Sequence, residues 1–312
     1  MPYNAPHRTQ KTSRVNMKLA VPLLLASAFS QTFVVFLIKL LPLDIPVSSI
    51  VFIRVMISIS IIIAVQEFKG HRFVRSMKTQ HGLLHIVRGT LGIGAMYLYF
   101  TAARHLPLAT VAVFMRTSPF FVPIVLYAWK RKKVRPMAWL GILLGFIGVL
   151  CIFQFSFASL NLYEFCALAA AICLAGVIPV LRELSKTEPP HRIVAYFNLF
   201  GIVSSLLISF FFLPEIYYSF TKEYFLIVLV SGIFSYFYQM CFTMANQYAP
   251  AEIVGTLSYL SIIFAIILDW VFWQEAPDAM TIIGILLIVL GSSILVWYGR
   301  KQRNTVETTE QR

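Results

Sequence analysis

The sequence carries very little charge for its length. Of its 312 residues only 12% are charged and just 13 are acidic, whereas 59% are hydrophobic and the mean hydropathy is +0.78. A soluble domain of this size cannot bury so much apolar surface, so the composition predicts an integral membrane protein. The net charge of +13 would suggest a nucleic-acid partner in a soluble protein. Here the basic residues lie between apolar runs, so membrane topology explains them better and no nucleic acid is expected.

Cysteines and catalytic motifs are equally scarce. The four cysteines all lie in apolar segments and form no CxxC pair, which argues against a disulfide framework and against a zinc site. His81 and His85 are one helical turn apart, but neither a cysteine nor a carboxylate lies beside them, so no metal site is expected. The chain has no GxxxxGK[ST], HExxH or GxSxG motif. Neither an ATPase nor a hydrolase is therefore indicated, and no cofactor is expected.

The apolar residues fall into ten runs of near-spanning length, since about 20 helical residues cross a bilayer. We place the runs at 19–41, 47–66, 83–103, 108–129, 136–155, 162–181, 193–213, 224–247, 251–273 and 279–298. The predicted fold is thus all-α, with ten transmembrane helices between a disordered basic tail at 1–18 and a second tail at 299–312. The start of the chain also resembles a cleavable signal peptide. Because the apolar run continues to Leu41, the first helix is expected to stay.

The chain contains an internal repeat. The segment Phe100-Thr101-Ala102-Ala103 corresponds to the segment 242–245 at a spacing of 142 residues. The match improves after one inserted residue, because the segments 141–148 and 284–291 share five identities in eight positions at a spacing of 143. The two copies, at 19–155 and 162–298, each hold five predicted helices. An odd number means that the second copy enters the membrane from the opposite side, and such inverted repeats are the architecture of secondary transporters.

The loop charges predict the orientation. Twenty of the 26 lysines and arginines lie in segments on the side of the N-terminus, whereas only Lys39, Arg104 and Lys222 lie in segments on the other side. Cytoplasmic loops carry the excess of basic residues, so both termini are predicted to be cytoplasmic. The expected location is a bacterial inner (plasma) membrane.

Several motifs resemble the EamA branch of the drug/metabolite transporter superfamily. In the first copy they are the run 102–109 (Ala-Ala-Arg-His-Leu-Pro-Leu-Ala), Ser118-Pro119, and the glycines Gly141, Gly145 and Gly148. In the second copy they are Ala249-Pro250-Ala251-Glu252 and Glu275. The resemblance covers about 19 to 298 and implies import, export or exchange of a small metabolite or drug. The first copy departs from the family pattern, because Lys130-Arg131-Lys132-Lys133 stands where the family commonly has an acidic residue.

Arginines inside predicted spans are the first candidates for a substrate site, since each charge costs at least ~2.5 kcal/mol near the bilayer centre. Arg116 lies near the midplane and is assigned to a water-filled cavity, as a substrate ligand or ion-pair partner. Arg54 is assigned equally to substrate binding and to a snorkelling or helix-bracing role, and Arg88, nearer the membrane surface, to snorkelling. Arginine binds carboxylate and phosphate through paired donors. The substrate is therefore predicted to be an anionic or zwitterionic metabolite, of the amino-acid or nucleotide-derivative class.

Polar residues at membrane depth are further candidate ligands, although such residues also hold membrane helices together. They are Gln31, Tyr97 and Thr117 in the first half, and Asn198, Tyr236, Gln239, Tyr259 and Ser261 in the second. Asp269 is the only carboxylate well inside a span, and it is assigned either to ion coupling or to an ion pair with Arg116 or Arg54. Pro119 allows a kink just past Arg116, which is either a hinge or a static bend.

Three functions remain open on the sequence alone. The first is a secondary transporter that works by alternating access and is not an enzyme, with a small-molecule substrate, a lipid bilayer around it and an undetermined oligomeric state. The second is a broad exporter of drugs, for which an aromatic cavity with little fixed charge is expected. The third is a membrane-embedded enzyme for lipid-linked substrates, which would require clustered acids or histidines near one interface.

Overall fold

The structure, a computed structural model, describes residues 17–70, 72–130, 136–152, 161–211, 221–249, 254, 257–291 and 293–294. Most of each predicted tail, the basic loop at 131–135 and Glu252 lie outside the described residues. The helices in chain order are α1 (Met17–Lys39), α2 (Val47–Phe68), α3 (Phe73–Ser76), α4 (Gly82–Ala103), α5 (Leu108–Met115), α6 (Ser118–Lys130), α7 (Pro136–Ile152), α8 (Leu162–Thr187), α9 (Pro190–Phe211), α10 (Lys222–Tyr248), α11 (Leu260–Trp273) and α12 (Ala279–Gly291).

Within the part of the chain that the structure describes, six helices are long and apolar enough to cross a membrane, namely α1, α2, α4, α8, α9 and α10. Shorter apolar helices cover Leu108–Val122, Leu260–Trp273 and Ala279–Gly291. The prediction of an all-α integral membrane protein is confirmed, whereas the count of ten spans stays a prediction. The main difference from the predicted boundaries is at α8, which continues to Thr187, so that only two residues separate it from α9.

Local sequence signals explain where several helices begin and end. Pro136 and Pro190 are the first residues of α7 and α9, a position where the missing N–H of proline costs no hydrogen bond. Asn161 forms a capping box with the third residue of α8, and Thr221 accepts a hydrogen bond at the start of α10. Gln274 ends α11 with a left-handed backbone, at φ 56°.

The fourth predicted span is broken in both repeats at equivalent positions. In the first repeat the α-helix stops at Met115 and resumes at Ser118, because Pro119 has no N–H to donate to the carbonyl of Met115. In the second repeat the turn falls at Tyr259, which is 142 residues after Thr117. No proline stands there, but the hydroxyl of Ser258 donates to the carbonyl of Val254, at 2.6 Å, a bond that bends helices.

The two repeats pack as halves related by a pseudo-twofold axis. Helix α1 packs extensively against α10, and the equivalent pair, α8 and α4, packs in the same way. Helix α2 packs against its own counterpart α9, while α4 against α9 repeats the contact of α10 against α2. The apolar core where these helices meet contains Ile50, Phe100 and Phe114, each 2% exposed or less. Such exchanged contacts are those expected of two similar halves around a twofold axis.

The packing of α7 against α12 gives the direction of that axis. A Cβ atom added to Gly148 would lie 2.8 Å from the Gly284 carbonyl oxygen, and one added to Gly291 would lie 2.6 Å from the Gly141 carbonyl oxygen. These pairs are exchanged by the 143-residue repeat, and they place the start of one helix beside the end of the other. The equivalent helices therefore run antiparallel, as inverted repeats require. The glycines serve packing within the chain, as expected for small residues between membrane helices.

Replacing Gly291 by alanine should separate α7 from α12 and lower the melting temperature of the purified protein in detergent. The added methyl group would meet backbone atoms on two sides, the Gly141 carbonyl oxygen at 2.6 Å and the Gly145 nitrogen at 2.9 Å. Overpacking of this kind costs about 1–3 kcal/mol. Gly94→Ala is the matched control, because a Cβ there meets nothing within 4 Å. Equal melting temperatures for the two variants would contradict the glycine contact.

Candidate functional site

A cavity lies in the middle of the bundle, between helices of both repeats. Its polar lining consists of Gln31 on α1, Arg54 on α2, Arg88 on α4, and Tyr238 and Gln239 on α10. The rest of its wall is apolar and aromatic, and includes Met96, Tyr99, Phe100, Phe197 and Phe242. About 690 Å³ of space that holds no protein atom lies in and in front of this cavity, open solvent included. The site is thus central and shared by the two halves.

Arg88 is buried in the wall of this cavity. Its side chain is only 4% exposed, and its guanidinium lies 4.8 Å from the ring centre of Phe197. Its Nη2 donates to the Oε1 of Gln239 at 3.3 Å, while its Nε and Nη1 are buried with no hydrogen-bond partner among the described residues. Gly92, whose missing Cβ makes room for Phe197, allows this close packing of α4 and α9. The prediction that Arg88 snorkels to the surface is wrong, because its side chain points into the bundle.

Arg54 faces the same cavity from α2. It is 4% exposed, its guanidinium stacks 4.6 Å from the ring centre of Phe100, and its Nη2 contacts the sulfur of Met96. Its buried Nε has no hydrogen-bond partner among the described residues. The structure therefore contradicts snorkelling for Arg54, which lines the cavity and also contacts α4 through Met96 and Phe100.

Arg116 lies at the break between α5 and α6 and connects three elements. Its Nη2 donates to the Oε1 of Gln31 at 2.9 Å, and its Nε donates to the hydroxyl of Ser261 on α11 at 3.1 Å. The structure thus brings together a predicted arginine and two predicted polar partners, one from each half. Gln31 also lines the cavity, so it links Arg116 to the space that Arg54 and Arg88 face.

The three arginines share one neighbour and lack a countercharge. Tyr238 lies within electrostatic range of Arg54, Arg88 and Arg116. Within the described part of the chain, no carboxylate forms a salt bridge with any of the three. Buried charges are normally paired, because taking an unpaired ion out of water costs several kcal/mol. The sequence missed Tyr238, since nothing distinguishes it from the other aromatic residues of α10.

Several predicted ligands hold helices together instead of lining the cavity. The hydroxyl of Tyr97 bonds to that of Ser205 at 2.8 Å, and Asn198 donates to Ser58 at 2.8 Å. Thr117 donates to the carbonyl of the preceding turn at 2.6 Å. None of these three residues is part of the cavity lining, and their role as ligands stays a prediction. They fill the hydrogen-bonding role that polar residues have between membrane helices.

The two remaining tyrosines also lie outside the cavity wall. Tyr236 packs against a small apolar cluster of α2 and α9 that contains Ile62, Val194 and Ala195. Tyr259 occupies the turn before α11 and lies within electrostatic range of Arg116. Of the predicted polar residues, Gln31 and Gln239 are the ones that line the cavity.

Asp269 forms a cluster at one end of the bundle. Its carboxylate, 1% exposed, accepts hydrogen bonds from the backbone N–H groups of Leu108, at 3.0 Å, and Ala109, at 2.7 Å. Lys39 lies 3.6 Å from Asp269 and 3.7 Å from Glu275. The expected ion pair with Arg116 or Arg54 is therefore wrong. Asp269 caps α5, because Pro107 precedes that helix and supplies no side-chain cap. We call Asp269, Leu108, Ala109, Lys39 and Glu275 the Asp269 cluster.

A second cluster closes the opposite end, where α8 ends and α4 begins. Glu188 accepts from the hydroxyl of Thr79 at 2.6 Å and pairs with Arg192 at 2.5 Å, and Arg192 donates to the carbonyl of Ser76 at 2.6 Å. Burial raises the pKa of Glu188, but the bonds from Thr79 and Arg192 outweigh it and hold the pKa below its ordinary value. The carboxylate is thus ionised. We call these four residues the Glu188 cluster. No sequence pattern indicates it, because Thr79 lies 109 residues from Glu188 and Ser76 lies 116 residues from Arg192.

Comparisons with known proteins agree with this architecture. A sequence model described as the EamA-like transporter family matches residues 18–154 and 161–297, which are nearly the two predicted repeats. The pseudopaline exporter CntI of Pseudomonas aeruginosa is 29% identical over 277 residues, or 88% of this chain and 94% of that protein. A riboflavin transporter of Brucella anthropi is 27% identical over 230 residues, or 71% of this chain and 79% of its own. One crystal structure, 17% identical, has the same fold, with a TM-score of 0.60 over 94% of this chain and 99% of the other.

Proposed function

The chain belongs to the EamA-like transporter family, whose members in these comparisons transport small metabolites, and we propose that it moves an anionic or zwitterionic metabolite by alternating access of its central cavity. The proposed location is a bacterial inner membrane with both termini in the cytoplasm, on the strength of the loop charges. The named relatives transport different molecules, so they indicate a class of activity but no single substrate. We therefore infer the substrate class from the residues of the cavity.

The observation that supports this substrate class is the set of unpaired guanidinium groups around the cavity. Arg54 and Arg88 are each 4% exposed and have buried nitrogen atoms with no hydrogen-bond partner among the described residues. A protein keeps such groups at a cost in stability when function needs them. A carboxylate or phosphate on the solute would supply both the missing countercharge and the missing acceptors.

The two end clusters support alternating access. The Asp269 cluster joins α1, α5 and α11 at one end, and the Glu188 cluster joins the loop before α4 to the corner between α8 and α9 at the other. In an alternating-access carrier a solute leaves the central cavity towards the side on which the bundle is open. In our proposal the clusters break in turn, so the cavity faces one side of the membrane at a time.

Export of planar, amphipathic compounds is a second candidate. The aromatic rings of Tyr99, Phe100, Phe197, Tyr238 and Phe242 in the cavity wall favour it, since aromatic side chains stack on planar solutes. The buried arginines argue against cationic compounds in particular.

Uptake by proteoliposomes that contain the purified protein tests the proposal. Among radiolabelled metabolites, anions or zwitterions should move and lipophilic cations should not. The opposite pattern would replace the proposed substrate class with that of a drug exporter, and no movement of any solute, with the chain folded, would contradict transport altogether.

Replacing Arg116 by glutamine should reduce this transport at least about tenfold while the protein stays folded, because a charge-assisted hydrogen bond is worth about 1.5–3 kcal/mol and tenfold corresponds to 1.4 kcal/mol. Initial rates of uptake, with circular dichroism as the check of folding, measure the effect. Arg72→Gln is the matched control, since Arg72 is exposed outside the bundle. Unchanged kinetics in Arg116→Gln would remove Arg116 from the site.

A further inference from the structure

We propose that the solute carries at least two negative charges at separate positions, one bound between Arg54 and Arg88 and the other bound beside Arg116. This inference rests on the proposed function and narrows it. It excludes zwitterions with one net charge or none, and it includes Arg88 in the binding site.

The first argument is the direction of the hydrogen bonds in the cavity wall. Arginine has donors and no acceptor, so Gln31 and Gln239 must each turn Oε1 towards the arginine that they contact. Their amide NH₂ groups are then left as donors. The polar wall therefore offers donors from Arg54, Arg88 and two glutamines, and Arg116 adjoins it through Gln31. An ammonium group of a solute would meet no charged acceptor in the described wall, whereas a carboxylate would meet several donors.

The second argument is the number of uncompensated charges. The guanidinium groups of Arg54, Arg88 and Arg116 carry three positive charges around Tyr238, and no described carboxylate pairs with them. One carboxylate neutralises one charge. Because an unpaired charge remains costly in a region of low dielectric, a solute with two negative charges relieves more of this cost than a solute with one.

The third argument is that the three arginines belong to two positions. Arg54 and Arg88 lie on α2 and α4, with the rings of Phe100 and Phe197 against their guanidinium faces. Arg116 is held on the side of α1 and α11 by Gln31 and Ser261. Two anionic groups on one carbon skeleton can occupy both positions, and the apolar and aromatic remainder of the cavity wall suits such a skeleton.

Binding of matched probes to the full chain in detergent tests the inference without any mutation. The probes are the dicarboxylates from malonate to adipate, the monoamide of each, the diamide of each, glutamine and glycerol phosphate, all at constant ionic strength and neutral pH. The best dicarboxylate should bind about tenfold more tightly than its own monoamide, the value of one charge-assisted hydrogen bond. If no dicarboxylate exceeds its monoamide, or if glutamine binds as tightly, the inference is overturned. Tighter binding of glycerol phosphate would overturn the two separate positions.

The variants assign the two positions. In Arg116→Gln the advantage of the dicarboxylate over its monoamide should fall to twofold or less, while binding of the monoamide is kept, because the first position remains. In Arg72→Gln the advantage should be unchanged. An advantage that persists in Arg116→Gln would refute the second position. Proteoliposomes that move a neutral or zwitterionic metabolite would contradict the double charge alone, whereas proteoliposomes that move nothing would contradict the proposed transport itself.

Discussion

Replacement of Arg88 by methionine is expected to abolish transport and, at the same time, to raise the melting temperature of the substrate-free protein. The guanidinium is 4% exposed, lies against Phe197 and leaves Nε and Nη1 without partners among the described residues. Removing a buried charge that has no partner, in favour of an apolar side chain of similar length, is often neutral or stabilises a protein by about 1–4 kcal/mol. Methionine, by contrast, cannot replace the hydrogen-bond donors and the positive charge that Arg88 offers to an anionic solute. Thermal unfolding in detergent and uptake by proteoliposomes measure the two effects.

Arg104→Met is the control, since this arginine directly follows α4, the helix that carries Arg88, and has a structural role. Its Nη1 donates to the carbonyl of Ile45 at 2.7 Å, and its Nη2 bonds to the carbonyl of Pro42. Its loss should lower the melting temperature and leave substrate affinity nearly unchanged. If Arg88→Met lowers the melting temperature as much as Arg104→Met does, Arg88 is a structural residue and its place in the binding site is wrong.

The fold followed from the sequence because a membrane leaves few choices. Backbone groups in lipid must be satisfied within helices, so apolar runs predict spans, and an odd number of spans in each repeat predicts inversion. The repeat also indicated a contact between helices, because the glycines at equivalent positions in the two copies meet where α7 crosses α12. They are Gly141, Gly148, Gly284 and Gly291. Glycine identity at equivalent positions was informative because only a missing side chain permits that approach.

The site was only partly predictable, because depth in the membrane does not tell which way a side chain points. Arg88 was placed near the surface by its position along α4, yet it turns inward towards Gln239, which is 151 residues away in the chain. Tyr97 and Asn198 had the polarity and depth of ligands, but their hydroxyl and amide groups are satisfied by neighbouring helices. Which polar group finds a partner depends on helix rotation, and the pattern of apolar residues fixes that rotation poorly in lipid, where most faces are apolar.

The asymmetry of the site has a physical consequence for the transport cycle. The three arginines belong to the first repeat, whereas Gln239, Tyr238 and Ser261, which contact or face them together with first-repeat residues such as Gln31, belong to the second. In our proposal the solute would therefore bind to all the fixed charge on one half and to neutral groups on the other. If one half moves against the other, the anion can stay bound to the arginines of the first repeat while its neutral contacts with the second repeat are exchanged. Such a cycle would explain why all three buried arginines lie in one repeat.

Asp269→Asn is expected to destabilise the protein by about 2–5 kcal/mol and to weaken substrate binding, although Asp269 does not touch the cavity. Its two carboxylate oxygens accept one backbone N–H each, from Leu108 at 3.0 Å and Ala109 at 2.7 Å. Asparagine has one oxygen, so its NH₂ group would face the second N–H, donor against donor, and Lys39 would lose a partner. Because Arg116 stands at the other end of α5, a loosened start of this helix displaces the arginine.

Glu275→Gln is the matched control, since Glu275 pairs with the same Lys39 from an exposed position and accounts for less than about 1 kcal/mol. Chemical unfolding in detergent and the affinity for the best dicarboxylate measure both effects. Equal behaviour of Asp269→Asn and Glu275→Gln would mean that the cap does not hold α5, and Asp269 would then be left with the ion pair to Lys39.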